Sequence, residues 1–351
     1  MYKYDGHTYQ AMEYRKLGNT GLEVSELCLG TGLFGSGTRP TETWHGCIDD
    51  EEQSIELIHR AIELGINFID TANQYSTGEA EEIVGKAIAE YDRDELVINT
   101  KVQSLMEDRP NGGGLSRKHI IDQSEKSLSR LGTDFVDLYT IHLWDRTTPI
   151  RETLSAMNSL VEEGKVRYLG ASNVEGWQLL KSQWTADVNG FEPFASVQPE
   201  YSAIQRWEEY GVLPAVEDQG LGLTPYSPIG KGFLAGAYDR EELPPKESRL
   251  GHGIKYGQWD ELNTHENWEV YDVTKEIAEE KGVTPVQVSI AWLLHKDVVT
   301  SPIIGPTTIE ELEECVGAVE VSLSDDEMER IEAPIRPAYA KSWGWSRQER
   351  W

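Results

Sequence analysis

The sequence predicts an α/β protein: an eight-stranded parallel (β/α)8, or TIM, barrel with an N-terminal β-hairpin and long loops on its C-terminal face. Three observations predict it. Eight short apolar runs alternate with longer amphipathic segments. A β-rich stretch with a turn signal precedes the first of those runs. The 351 residues suit one barrel with extensions. Residues 1–351 read as a single domain, without internal repeat, low-complexity tract or linker.

The elements follow in order. Tyr14 to Leu22, turning at Asn19-Thr20-Gly21, reads as the hairpin. Strands are expected at 26–30, 67–70, 96–101, 135–141, 166–171, 195–198, 221–225 and 300–304. Helical periodicity spans 50–64, 80–89, 116–131, 149–163, 175–183, 207–219, 266–281, 284–295, 309–319 and 325–331. Strands that alternate with helices pair in parallel through right-handed crossovers, and eight of them can close. The irregular stretch 230–263 is too long for an ordinary connection and reads as a functional loop.

Composition narrows the function. Hydrophobic residues make up 38% of the chain, enough for a full core. No apolar run approaches the ~18 residues of a membrane span, and the start, Met1-Tyr2-Lys3-Tyr4, has no secretory apolar core. Cys28, Cys47 and Cys315 are scattered, which fits a reducing cytoplasm and neither a disulfide framework nor a metal site. The net charge is −29, which repels nucleic acid and anionic membrane. The acid excess reads either as a patch for a basic partner or as a solvated, salt-adapted surface. Its spread along the chain, from Glu276, Glu279 and Glu280 to Glu310, Glu311, Glu313 and Glu314, favours the second.

In such a barrel, chemistry sits where strands end. Strand two ends in Asp70-Thr71-Ala72-Asn73-Gln74-Tyr75, strand three in Lys101 and strand four in His142. Strand five ends in Ser172-Asn173, strand six in Gln198, strand seven in Tyr226-Ser227-Pro228 and strand eight in Gly305. Singly, each has a structural reading: Asp70 as a helix cap, Lys101 as a solvated charge, His142 as a core histidine. Together they suit hydride transfer to a carbonyl. The developing oxyanion needs a proton, and a phenol of ordinary pKa about 10 is a weak donor. A neighbouring ammonium stabilises the phenolate and so strengthens the acid. Asp70 would hold that ammonium, and His142 would orient the substrate oxygen.

These residues lie within longer matches. Tyr14 to Ser25 (YRKLGNTGLEVS), Gly65 to Tyr75 (GINFIDTANQY) and Gly164 to Asn173 (GKVRYLGASN) resemble the aldo-keto reductase superfamily. The likeness runs from about Tyr14 to Val319. It implies a barrel without metal, a small-molecule carbonyl substrate, and ordered use of NADP(H) or, less often, NAD(H). It implies a catalytic tetrad of Asp70, Tyr75, Lys101 and His142. Nicotinamide contacts carry over onto Ser172, Asn173 and Gln198, with Tyr226 stacking on the ring. The run Tyr226-Ser227-Pro228-Ile229-Gly230-Lys231-Gly232 resembles the segment that closes over the pyrophosphate. At the adenosine end, Ile304, Gly305, Thr307, Glu311 and Glu314 match in outline only. Relatives that grip a 2′-phosphate carry Arg or Lys where this chain has Thr307, Thr308 or Glu311, and Cys315 stands in place of an Asn. The expectation is therefore NADPH with a modest preference over NADH, aided by Lys231, Arg249 or Lys255 from the long loop.

Gly30-Thr31-Gly32-Leu33-Phe34-Gly35 spells a dinucleotide fingerprint, but Ser36-Gly37-Thr38-Arg39-Pro40 is a poor helix start. It reads as a barrel loop in which Thr31 and Gly32 line the cofactor cleft. Of 11 tryptophans, Trp292 reads as core, while Trp144, Trp207, Trp259, Trp343 and Trp345 read either as substrate lining or as packing. Substrate choice is assigned to residues 107–114, 230–263 and the tail 343–351. The alternatives to a reductase are a catalytically weak nicotinamide-binding regulatory subunit and a barrel hydrolase with paired carboxylates.

Overall fold

The computed structural model describes residues 2–4, 7–9, 12–37, 48–246, 248–253 and 257–335. The expected Lys255, Trp343 and Trp345, and the tail 343–351, lie outside them.

Two hairpins open the chain. β1 (Tyr2–Tyr4) pairs with β2 (His7–Tyr9), which the sequence did not suggest, and β3 (Tyr14–Lys16) pairs with β4 (Glu23–Ser25) as expected. The barrel then runs β5 (Cys28–Gly30), α1 (Glu51–Glu63), β6 (Phe68–Asp70), α2 (Glu79–Ile88), β7 (Val97–Val102) and α3 (Arg117–Leu131). It continues with β8 (Val136–Ile141), α4 (Ile150–Glu162), β9 (Val166–Ser172), α5 (Gly176–Asn189), β10 (Phe194–Gln198), α6 (Val212–Gln219) and β11 (Gly222–Leu223). Two short helices, α7 (Arg249–Gly253) and α8 (Gln258–Leu262), punctuate the long loop. Then come α9 (His265–Lys281), α10 (Pro285–Leu294), β12 (Ile303–Ile304), α11 (Ile309–Val316) and α12 (Asp325–Glu332).

All eight barrel strands are parallel, in the order β11-β10-β9-β8-β7-β6-β5-β12. Parallel bridges Leu223–Val299 and Tyr226–Ile303 bring the two edges together, so the sheet closes. The wall is tight beside that seam, where β5 meets β12. A Cβ on Gly30 would stand 2.6 Å from Ile303 Cγ2, so no larger residue fits there without displacing the Ile303 side chain.

Helices form and dock for ordinary reasons. α1 begins at Asp50, whose carboxylate caps the Glu52 and Gln53 amides, and buries Ser54, Leu57, Ile58 and Ala61 at helical spacing. The larger core lies between helices and sheet. A smaller one fills the barrel floor, where Leu17 and Val24 of the β3–β4 hairpin meet Cys28, Phe68, Val97, Leu138 and Ile303. The hairpin therefore plugs the N-terminal mouth. The opposite mouth is left for polar residues: all six residues of β7 are buried, Asn99 and Lys101 among them. Trp292 is fully buried, as expected. Among the described residues no helix is long and apolar enough to cross a membrane.

Candidate active site

β6 and β7 are in register with Asp70 opposite Asn99, and β7 pairs with β8 so that Lys101 faces Thr140. This register sets the site. Lys101 is fully buried, and its Nζ donates to Asp70 Oδ2 at 2.5 Å, Thr71 O at 2.9 Å and Tyr75 Oη at 3.2 Å. Asp70 Oδ1 accepts from Asn99 Nδ2 at 2.6 Å and Gln198 Nε2 at 2.8 Å. Asn99 Oδ1 in turn accepts from Thr140 Oγ1 at 2.7 Å. Burial pushes the Lys101 ammonium towards losing its proton, but Asp70 and Tyr75 outweigh that, and its pKa stands above the ordinary value. A buried charge of this kind persists because its partner and hydrogen bonds replace the lost water.

Tyr75 is half-buried, and its ring stands edge-on to that of His142, with centroids 5.9 Å apart. His142 N–H donates to Val102 O, which fixes it at the end of β8, and Gln74 Nε2 lies 3.4 Å from its Nε2. Beyond β9, Asn173 Nδ2 donates to His142 O and to Ser172 Oγ, both at 2.9 Å. Asn173 Oδ1 accepts from Tyr226 Oη at 2.8 Å. Burial, then the Glu200 carboxylate, holds the Tyr226 phenol well above its ordinary pKa, so it stays a neutral donor. Ser76, Asn173, Ser227 and Lys231, all at this mouth, have φ of 45°, 51°, 57° and 59°. Non-glycine residues rarely adopt this region, and such outliers gather at working sites.

These groups open into a cavity of about 640 Å³. Its wall includes Asp70, Tyr75, His142, Asn173, Gln198 and Tyr226. It continues along Ser227, Pro228, Ile229, Lys231 and Gly232 and ends among Ile304, Gly305, Thr307, Glu311, Glu314 and Cys315. A Cβ on Gly32 would touch the Tyr75 ring at 3.6 Å, filling the space beside the phenol.

Three expected residues do not face the cavity. Lys101 stands behind it and reaches the phenol through the wall. Thr31 is fully buried, with both its N–H and its hydroxyl on Asp70 O, so its role in lining the cleft is corrected to bracing β6. Ser172 is likewise buried and donates to Gln198 O at 2.8 Å. The dinucleotide fingerprint is a loop, with no helix among the described residues until Glu51. Gln74 and Ile290 line the cavity without having been singled out as site residues, and Arg249, expected from the long loop, lines it as well. Gln74 was legible as the neighbour of Tyr75, whereas Ile290, on a helix, carried no signal. Lys231 is ion-paired with Glu200. Trp259 is packing, against Phe233, and Trp207 is exposed. Trp144 stands edge-on to Trp177 beyond His142. Among the described residues no cluster could hold a metal ion.

The comparisons with known proteins agree with this geometry. The model of the aldo/keto reductase family matches residues 26–336. The versiconal hemiacetal acetate reductase of Aspergillus parasiticus is 36% identical over 345 residues, covering 93% of this chain and 98% of that protein. An uncharacterized oxidoreductase of Bacillus subtilis is 38% identical, covering 93% and 96%. A putative aryl-alcohol dehydrogenase of Schizosaccharomyces pombe is 34% identical, covering 92% and 96%. With a family match over most of its length and a closed barrel whose strand ends meet at one mouth, the chain belongs to the aldo/keto reductase family of oxidoreductases.

Proposed function

We propose that this chain reduces aldehydes or ketones to alcohols with a nicotinamide dinucleotide, NADP(H) or NAD(H), and that Tyr75 is the proton donor. The observation that carries the reading is a phenol on the cavity wall with a sealed, charged ammonium 3.2 Å behind it. A reduced nicotinamide supplies the hydride when bound. Tyr75 gives its proton to the carbonyl oxygen as charge develops there. Lys101 stabilises the resulting phenolate, and Asp70 keeps Lys101 charged and in place. His142 directs the carbonyl oxygen towards Tyr75 from the adjacent wall.

The residues present fit such a cofactor. Asn173 and Gln198 would hold the carboxamide, with Ser172 bracing both, and the Tyr226 ring would support the nicotinamide face. Both amide donors of Asn173 are already engaged, so its oxygen, with a second lone pair beside the Tyr226 bond, is the contact atom. Ser227 to Gly232, with Lys231 and Arg249, would enclose the pyrophosphate. Ile304, Gly305, Thr307, Glu311 and Glu314 would hold the adenosine. The bare Gly32 leaves room for a ring against Tyr75.

One relative is named as a versiconal hemiacetal acetate reductase and another as a putative aryl-alcohol dehydrogenase. An aromatic aldehyde is therefore the first substrate to try. The test is titration with NADPH and NADH, followed by their fluorescence, and then addition of the aldehyde. Binding followed by oxidation of the cofactor is expected. Binding without turnover of any carbonyl would favour a regulatory subunit, and absence of binding would overturn the reading.

A further inference from the structure

We propose that Glu311 makes this chain prefer NAD(H) to NADP(H), because its carboxylate already occupies the place where a 2′-phosphate would be gripped. The inference rests on the cleft holding a nicotinamide dinucleotide, and goes beyond it by assigning which one.

Tyr75 and His142 mark the reacting end of the cavity, so the adenosine lies at the other, among Gly305, Thr307, Glu311, Glu314 and Cys315. α11 starts there, with Thr308 as its cap: Thr308 Oγ1 accepts from the Glu311 amide at 3.2 Å. Helix N-termini favour anions, since their amides point outward and the dipole is positive there. In this chain the anion is internal. The Glu311 side chain folds back, and its Oε2 accepts from Thr307 N at 2.7 Å and Thr307 Oγ1 at 2.8 Å. Two neutral donors that could have served a phosphate, the Thr307 amide and hydroxyl, are thus turned to a carboxylate. Glu310 shares the first turn of α11, and Glu314 lines the cavity one turn on.

Of the two cations that the described residues place on the cavity wall, Lys231 and Arg249, the first is engaged elsewhere. Lys231 pairs with Glu200. Phosphate recognition calls for a cation at the phosphate, whereas a carboxylate accepts hydrogen bonds from the hydroxyls of an unphosphorylated ribose. On this inference the preference runs opposite to the modest one for NADPH that the sequence suggested.

Equilibrium titration of the full chain with NADH and NADPH, by calorimetry at low salt, reads affinity without turnover. Coulomb repulsion between a partly solvated carboxylate and a phosphate dianion should make NADH bind more tightly by about tenfold or more. Glu311→Gln, which leaves the Thr308 cap intact, should tighten NADPH by about tenfold and change NADH by less than about threefold. Added salt should narrow the wild-type gap. NADPH binding as tightly as NADH in the wild type, or an unchanged ratio in Glu311→Gln, would overturn the inference while leaving the function standing. If neither cofactor binds, the reading of the cleft falls first and takes this inference with it.

Discussion

Asp70 and Lys101 meet at 2.5 Å behind the reacting end of the cleft, closed to solvent and surrounded by Asn99, Thr71 and Gln198. Glu311, at the other end, is exposed, and its carboxylate is bonded to a single neighbour, Thr307, at the start of α11. Both are carboxylates that accept from several donors, yet they are built for different tasks. Inside the barrel, strand register fixes each partner, and a charge survives only if every neighbour is in place. At the rim, water competes with every contact, so a residue can change without unfolding anything. The inner end is suited to setting a reaction, the outer to choosing a ligand.

Four measurements would break or sharpen that contrast. The largest effect is expected for Tyr75→Phe. It removes the proposed acid and keeps the ring, so kcat should fall by ~10²–10⁴ with cofactor affinity retained. A mutant that turns over like the wild type would remove Tyr75 from the chemistry.

Lys101→Met strips one partner from a buried pair and should cost ~3–5 kcal/mol of stability in denaturant unfolding, besides most of the activity. Glu311→Gln at the exposed end should change stability by less than about 0.5 kcal/mol. Comparable losses in the two variants would erase the distinction between the ends.

Salt provides a third probe. With a net charge of −29, we propose a salt-adapted surface whose self-repulsion is long-ranged at about 0.01 M salt, where the Debye length is about 30 Å, and short-ranged at 1 M, where it is about 3 Å. The wild-type Tm should rise between these conditions. The stability difference between wild type and Lys101→Met should stay constant, because the buried pair is shielded from ions. A flat Tm would show that the acid excess does something other than adapt the chain to salt.

The smallest effect concerns the loop that follows His142. Asp145 accepts from Leu115 N, Thr147 N, Thr147 Oγ1 and Thr148 Oγ1. Burial pushes its carboxyl pKa up, but these donors outweigh it and bring it to about 2. A folded-state value below the unfolded one stabilises the protein above the ordinary carboxylate range, and that contribution fades as pH falls towards 2. Asp145→Asn should therefore cost about 1 kcal/mol at pH 7, with the gap to wild type closing on acidification. A gap that stays constant with pH would mean the ionised form adds nothing.

The same contrast decides what could be read from the sequence. Asp70, Tyr75, Lys101 and His142 were legible because strand ends in a parallel barrel converge on one mouth, and the structure brings them together. Strand and helix positions followed from apolar periodicity, with small shifts: α5 runs on to Asn189 where 183 was expected, because Gln178, Leu179, Ser182, Thr185 and Ala186 keep burying one face. The long loop was visible as irregular, but not its helices α7 and α8, which are too short for periodicity to register. Thr31 could not be placed, since facing the cleft or bracing β6 depends on one backbone bond to Asp70. The Glu311 fold-back was also hidden, because a glutamate in the first helical turn has the same spelling whether it points to solvent or caps Thr307.

The ammonium of Lys101 has three protons, and each has an acceptor: Asp70, Thr71 and the Tyr75 oxygen. No water reaches it. On the proposed mechanism, a phenol that has given up its proton cannot be recharged from the rear, since taking one from Lys101 would only move the deficit to a place solvent never visits. The replacement must arrive through the cleft itself, past the position held by the alcohol just made. Recharging and product departure then share one doorway. A solvent isotope effect on turnover would accordingly report the opening of that doorway as well as the transfer to the carbonyl.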